Sequence, residues 1–430
     1  MSSTIAVEEL RVGMYIQLEG GWLSHPFPLS SFRIASAAQL ATLRGLGLDR
    51  VRWVPEKSDP VALPADALPA VPAAALPPGA EPAPPAAETA VEAAARQRHE
   101  WLAAQREAAQ RCERQHAEAA LAWRQACDAL PTRPEQAGRS TEALARAMLD
   151  KMLGADDVAV RLVGGGADRA AAHALNVSVV SMLLGRSLGL AAPAMHDLGV
   201  GALAHDLGKL EVPERLRHLE DGFSAGEVQA YRDHVVKGVL QGQRMALPLG
   251  ALKVLAQHHE QADGSGFPRR LQGEGIDLAA RIVALVNRFD NLCNPSTRAP
   301  ALTPHEAMAL LFAQGRARYD ADVLNAFIKL MGVYPAGSLV QLSDARYAMV
   351  VGVNASRPLK PRVLVAAGTA ASATPATELV DLEHAGDLAI RRSLPAARLP
   401  PAVLQALDPR PRVQYYFEPL QRERVPEPAT

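Results

Sequence analysis

His173, His205, His234, His258 and His259 are five of the twelve histidines, and Asp206 directly follows one of them. Imidazole nitrogen and carboxylate oxygen together form a donor set that suits Fe, Mn, Zn or Ni rather than Ca or Mg. His205 and Asp206 lie about 100° apart around a helix, so both can turn into one cavity. Each oxygen of an aspartate placed there can take its own cation. His258-His259-Glu260 comes just before Asp263-Gly264-Ser265-Gly266-Phe267-Pro268. In that segment Gly264 and Gly266 permit a tight turn that brings backbone N–H groups towards a ligand phosphate.

Each of these residues taken singly has a plainer reading. A lone His-Asp pair is weak support for a metal. His234 on an apolar-rich predicted helix, and His173 at the start of another, fit ordinary interior histidines; His258 and His259 fit capping or interdomain contacts. Lys209 fits a solvated lysine near a helix end. Gathered on the helices of one domain, the histidines make the plain readings hard to hold jointly, because buried polar groups without partners are costly.

The elements that must position them read as helices almost throughout residues 141–332. Apolar residues recur with helical period over 143–152, 170–188, 194–207, 225–245, 249–261, 278–292, 304–312 and 321–331. The chain is therefore expected to be mainly α, a multi-helix bundle with two smaller attachments. Residues 1–57 mix short alternating apolar segments with one helical stretch near 37–46, which suggests a small α+β module. Residues 58–87 are rich in Ala and Pro and read as an extended linker. Residues 88–140 form a charged helical connector with a thin apolar stripe; its 88–130 stretch is read as a solvated helix or, alternatively, a homodimerising coiled coil. Residues 333–430 turn to β-rich segments, among them 338–342, 347–353 and 413–417, and form a C-terminal extension.

Composition narrows the functional classes. Lys plus Arg is 45 and Asp plus Glu is 46, a net charge of -1, so no global field draws the chain to a nucleic-acid polymer or an anionic membrane. Three cysteines without a Cys-x-x-Cys pair give no disulfide framework or thiolate zinc site, which points to a reducing cytoplasm. No basic-then-apolar leader opens the chain, and no apolar run approaches the roughly 20 residues that span a bilayer, so no membrane insertion is expected.

The order H…HD-x-GK…H…HHE-x-x-DGSG-x-P, carried by His173, His205 to Lys209, His234 and His258 to Pro268, resembles the HD-GYP family of cyclic di-GMP phosphodiesterases, a branch of the HD superfamily of metal-dependent phosphohydrolases. The resemblance covers roughly residues 143–332. Residues 10–55, with Val12-Gly13-Met14-Tyr15-Ile16 and the segment 21–27, resemble the domain of unassigned function that precedes some HD-GYP domains, and the β-rich tail resembles the extension of that subgroup.

What this resemblance implies is an HD-type bundle with two divalent transition metals, Fe or Mn foremost and Zn or Ni as alternates. Asp206 would bridge them, His173, His205 and Asn287 would serve one, and His234, His258 and His259 the other. Two such cations turn a bridging water into hydroxide and neutralise the phosphoryl oxygens, opening cyclic di-GMP to pGpG and onward to GMP. Lys209 and Asp206 are then the catalytic candidates. Lys209, Gly264, Gly266, Phe267 and Arg298 are the substrate-binding ones, and Asp290 and Glu260 stand behind the ligands.

Several positions depart from the family pattern. Asn287 stands where the segment A-D-x-F-D-A-L has its first Asp, which should weaken the first metal. Arg169 stands four residues before His173 in place of a Glu that brings a third metal in some members, so two metals are expected. Phe267 replaces the Tyr of G-Y-P, and Ser296 and Ala299 replace basic residues, with Arg298 close by. These departures keep two other readings open: a catalytically weak cyclic di-GMP-binding module that signals through a protein partner, or a phosphohydrolase for another nucleotide.

Overall fold

The structure, a computed structural model, describes residues 3–18, 31–46, 48–59, 90–164, 168–220, 222–297, 299–315, 317–354, 356–367 and 376–420. Most of the expected 58–87 linker and the 21–27 segment lie outside them. The chain divides into two compact units, Met1–Glu107 and Ala108–Thr430.

The first unit holds β1 (Ser3–Ala6), β2 (Tyr15–Gln17), β3 (Ser31–Arg33), α1 (Ala37–Arg44) and β4 (Arg50–Trp53). The strands form an antiparallel sheet in the order β1-β4-β2-β3. Alternation does the folding: along β4, Val51 and Trp53 are buried while Arg50 and Arg52 face out. Met14, Ile16, Ile34 and Leu43 fill the core, and Ser36 caps α1 by accepting from the Gln39 N–H. This is the α+β module expected from the sequence.

Helix α2 (Ala90–Ala129) is a single run of 40 residues. From Ala108 onward it buries a stripe, Ala108, Cys112, His116, Ala119, Trp123 and Ala126, at the three- and four-residue spacing of one helical face. That part of the connector is thus an element of the second unit's core rather than a solvated strut.

The second unit continues with α3 (Pro134–Leu153), β5 (Asp157–Leu162), α4 (Arg169–Ser187), α5 (Ala192–Ala204), α6 (Ala225–Arg232), α7 (His234–Arg244), α8 (Leu249–Gln257), α9 (Leu278–Cys293), α10 (Pro304–Gly315) and α11 (Ala321–Met331). After these come β6 (Leu339–Leu342), β7 (Tyr347–Asn354), β8 (Arg362–Ala367), β9 (Ala376–Asp381), β10 (Ile390–Ser393), α12 (Pro401–Leu407) and β11 (Tyr415–Leu420). Helix α5 is apolar on nearly every side because it is the central helix: Met195, Leu198, Val200, Ala202 and Leu203 are all buried. It approaches α8 so closely that a Cβ at Gly201 would stand 2.7 Å from the Val254 side chain.

Three expected helix ends differ, all next to the histidines. Helical structure ends at Ala204 and at Gln257, before His205 and His258, and the expected 225–245 helix breaks at Asp233, before His234. Strand β5 was not expected either; it lies in the gap between the expected helices 143–152 and 170–188. Its partners are β7 and β11, far along the chain, so nothing local announces it. The sheet runs β10-β6-β7-β5-β11, with β8 on β7 and β9 on β8. The C-terminal strands are therefore hydrogen-bonded into the helical region through β5, and Glu418 on β11 accepts from both Arg161 and Arg362.

Candidate metal centre

The three interrupted helix ends and α4 converge on Asp206. His205 is the C-terminal cap of α5, and Asp206 follows it in a turn that leads into a short 3-10 segment, Leu207–Glu211. That segment lies tight against α7, and a Cβ at Gly208 would overlap the His234 carbonyl. The glycine of the HD-x-GK run is thus needed for backbone approach. His234 opens α7, while His258 and His259 follow the end of α8.

Two overlapping ligand groups result: His173, His205 and Asp206, and Asp206, His234, His258 and His259. Asp206 Oδ2 faces the first, 3.6 Å from His173 Nε2 and 3.5 Å from His205 Nε2. Its Oδ1 faces the second, 3.7 Å from His234 Nε2 and 3.9 Å from His258 Nε2. One carboxylate therefore spans both groups.

The outer ring nitrogens are fixed by acceptors. His205 donates Nδ1–H to the Ala202 carbonyl at 2.8 Å, His234 to Tyr231 at 2.5 Å and His258 to Leu255 at 2.9 Å. A carbonyl can only accept, so each of these neutral rings presents a bare Nε2 lone pair inward. His234 Nε2 and His258 Nε2 nonetheless stand 3.4 Å apart, and the buried Oδ1 of Asp206 has no hydrogen-bond partner. Three acceptors facing one another without a donor fit a cation between them.

Electrostatics agree. Burial pushes His205 down to about 4, and burial followed by neighbouring imidazoles holds His258 and His259 well below the usual histidine value. Burial also lowers His234. Burial opposes ionisation of Asp206, but Lys209 and then His205 outweigh it and keep the carboxyl well below the usual carboxylate range. His173 is the exception: burial acts downward, yet Asp206 and Asp290 lift it to about 9.

Asp290 stands behind His173 and accepts its Nδ1–H at 2.6 Å. The same carboxylate accepts from Asn176 at 2.8 Å and from Asn294 at 2.9 Å. Asn176 in turn accepts the Tyr415 N–H at 2.8 Å, and Asn294 accepts the Val413 N–H at 2.8 Å. The final strand thereby braces the first ligand group. Asn176 and Asn294 escaped the sequence reading, although each lies one helical turn from a residue that it picked out, His173 and Asp290. Glu260, buried, accepts from the N–H groups of Arg269 and Leu271 and so closes the turn after His259.

The remaining candidates divide. Lys209 Nζ lies 2.7 Å from Asp206 Oδ2. Phe267 stacks on His259 with centroids 4.5 Å apart, and Arg232 lies 5.1 Å from its centroid. The Gly264 N–H is donated to Gln261 within the turn, and a Cβ at Gly266 would stand 2.5 Å from the His259 carbonyl. Both glycines thus shape the turn. Asn287 is buried, and its amide oxygen accepts from Asn291. Arg298 lies outside the described residues. Arg169 donates to the Pro295 carbonyl at 3.1 Å, tying α4 to the loop after α9. A cleft of about 840 Å³ opens over the centre, walled by Lys209, His259, Phe267, Asn287, Arg288 and Arg318 among others.

Comparison with known proteins places these features. A domain of unknown function (DUF3391) matches residues 2–140, and an HD domain matches residues 158–323. The chain is 30% identical to the cyclic di-GMP phosphodiesterase PA4108 of Pseudomonas aeruginosa over 394 residues, 90% of each chain. It is 33% identical over 156 residues to the cyclic di-GMP phosphodiesterase response regulator RpfG of Xanthomonas campestris pv. campestris, covering 36% of this chain and 41% of that one. It is also 28% identical over 158 residues to 3'3'-cGAMP-specific phosphodiesterase 1 of Vibrio cholerae, covering 36% and 37%. Among solved structures, Bd1817, an HDG"Y"P protein from Bdellovibrio bacteriovorus, aligns with 76% of this chain and 98% of its own at 14% identity and a TM-score of 0.40.

Proposed function

This chain belongs to the HD-GYP family of cyclic di-GMP phosphodiesterases, and from that premise we propose that it hydrolyses cyclic di-GMP to pGpG at a pair of divalent transition metals held by its two histidine groups. Mixed imidazole and carboxylate donors suit iron, manganese, zinc or nickel, and the family resemblance puts iron or manganese foremost. His173 and His205 would hold one ion, His234, His258 and His259 the other, and Asp206 would serve both. When bound, such a pair supplies a nucleophile from water at neutral pH and offsets charge on the phosphoryl group.

The protein's own groups do the rest. The carbonyls of Ala202, Tyr231 and Leu255 hold three rings in the ligating tautomer. Lys209 has three donors, of which one is engaged by Asp206. The others are available to a non-bridging oxygen of the reacting phosphate, and their charge favours the in-line departure of the 3′ oxygen. Asn287 and Arg298 belong to this reading as the weaker ligand and a loop cation, and further cleavage of pGpG to GMP as its second step.

The observation that carries the proposal is the acceptor trio of His234 Nε2, His258 Nε2 and the partnerless Asp206 Oδ1. The test is anaerobic loading of the purified protein with Mn or Fe, metal analysis, and chromatography of the products from cyclic di-GMP. Metal at two per chain with pGpG or GMP formed is the expected result; binding of the dinucleotide without either product would select a signalling module instead.

Three free cysteines suit a cytoplasmic setting, and among the described residues no helix is long and apolar enough to cross a membrane. A homodimer or a signalling partner belongs to the same proposal. The face of α2 left for either is the one bearing Leu121, 51% exposed, since the opposite stripe is buried within the second unit.

A further inference from the structure

Cyclic di-GMP carries two phosphodiesters, each with a negative charge, and only one can lie at the metal centre at a time. The cleft of about 840 Å³ is roomy enough for the whole dinucleotide, so the second phosphate also lies within it and needs an answering charge. Lys209, 2.7 Å from Asp206, serves the reacting phosphate in the reading above rather than the second one. Ser296, Thr297 and Ala299 on the loop after α9 line the cleft but are neutral.

Among the described residues, two cations on the cleft wall remain. Arg288 follows Asn287 on α9, and Arg318 precedes Tyr319 in the turn before α11; both line the cleft and are exposed. Among the described residues neither guanidinium makes a hydrogen bond or an ion pair. Tyr319 lines the same cleft as Arg288 and Arg318. Guanidinium forks match phosphate oxygens and are always charged.

We propose that Arg288 and Arg318, on the wall of this cleft, form the subsite for the second, non-reacting phosphodiester of the cyclic dinucleotide. The assignment rests on the hydrolytic reading above. The two arginines set affinity for a two-phosphate ligand and leave the chemical step alone, because in that reading neither holds a metal or meets the reacting phosphate.

The test compares the metal-loaded wild type with Arg288→Ala, Arg318→Ala, the double variant, and Arg288→Lys with Arg318→Lys, on cyclic di-GMP and on bis(p-nitrophenyl) phosphate, which has a single phosphodiester. Each alanine should raise KM for cyclic di-GMP roughly tenfold, with kcat, metal content and turnover of bis(p-nitrophenyl) phosphate unchanged, and lysine should restore part of the loss. An unchanged KM in the double variant, with the wild type active, overturns the subsite alone. An equal loss on bis(p-nitrophenyl) phosphate overturns it too, by putting the arginines at the reacting phosphate. Weakened inhibition by cyclic di-GMP but not by cyclic di-AMP assigns them to guanine edges and also overturns it. A wild type that turns over no cyclic di-GMP overturns the functional reading, and the subsite with it.

Discussion

Asn291 Nδ2 donates to the amide oxygen of Asn287 at 2.5 Å and to its backbone carbonyl at 2.9 Å, so two neighbouring departures from the A-D-x-F-D-A-L pattern are bonded to each other. The oxygen that would meet a cation is already occupied by an amide donor one turn along α9. Asn287→Asp is expected to leave turnover equal or higher. Combined with Asn291→Ala, it should tighten the first metal by roughly tenfold, the scale on which neighbouring groups tune a site. Competition against a chelator measures this; a double variant that retains less metal than the wild type sinks the idea.

Asp206 is the single group shared by both ligand sets. Asp206→Ala and His205→Ala should each abolish hydrolysis and lower the metal content, with the Asp206 change removing both ions. An Asp206→Ala protein that hydrolyses at the unmutated rate would mean that the centre lies elsewhere.

Asp290 and Asn176 act on the first group only, through His173 Nδ1. Asp290→Asn should weaken that metal by roughly 10- to 100-fold and leave the His234, His258 and His259 site filled, and Asn176→Ala should do the same to a smaller degree. Metal stoichiometry falling from two towards one per chain is the readout, and equal loss of both ions contradicts it.

Gly208 packs against the backbone of His234 and Gly238. Because a Cβ there meets main chain rather than a flexible side chain, Gly208→Ala should cost about 2 kcal/mol or more and lower Tm, with the metal-loaded and metal-free proteins both affected. An unchanged Tm in both forms rules out this close approach.

In the metal-free protein His173 is lifted to about 9 after Asp206 and Asp290 overcome burial, so it is protonated at neutral pH, whereas a ligating imidazole must be neutral. Metal uptake at pH 7 should release a proton, and apparent affinity at the first site should rise with pH until about 9. The stability that His173 lends the metal-free fold runs the opposite way. It is full below the unfolded histidine value of about 6.5 and is lost as pH climbs through 9. Calorimetry in buffers of different ionisation enthalpy checks the proton, and uptake independent of pH between 6 and 9 contradicts it.

Much of the fold was legible because helices announce themselves locally: 278–292 and 321–331 were expected within a residue of α9 and α11. The helix ends beside the ligands were misplaced for a reason tied to the site. His205, His234 and His258 each turn Nδ1 back to a carbonyl three residues earlier, at a point where helical structure stops or breaks, and the local apolar period runs straight through those stops. Strand β5 was missed because its pairing is wholly non-local, and part of α2 was read as solvated because its partner surface comes from later elements.

The sequence by itself determined the donor chemistry and the family, since residue type and spacing are local properties and the run from His205 to Lys209, with His258 to Pro268, carries them unaided. Only the tertiary structure decided that Asp206 divides its two oxygens between two histidine groups, that Asn291 occupies the Asn287 amide, and that the strand near Val413 and Tyr415 steadies His173 through Asp290. Those relations join residues distant in the chain, and their distances are set by how helices and strands pack rather than by the order in which the residues occur.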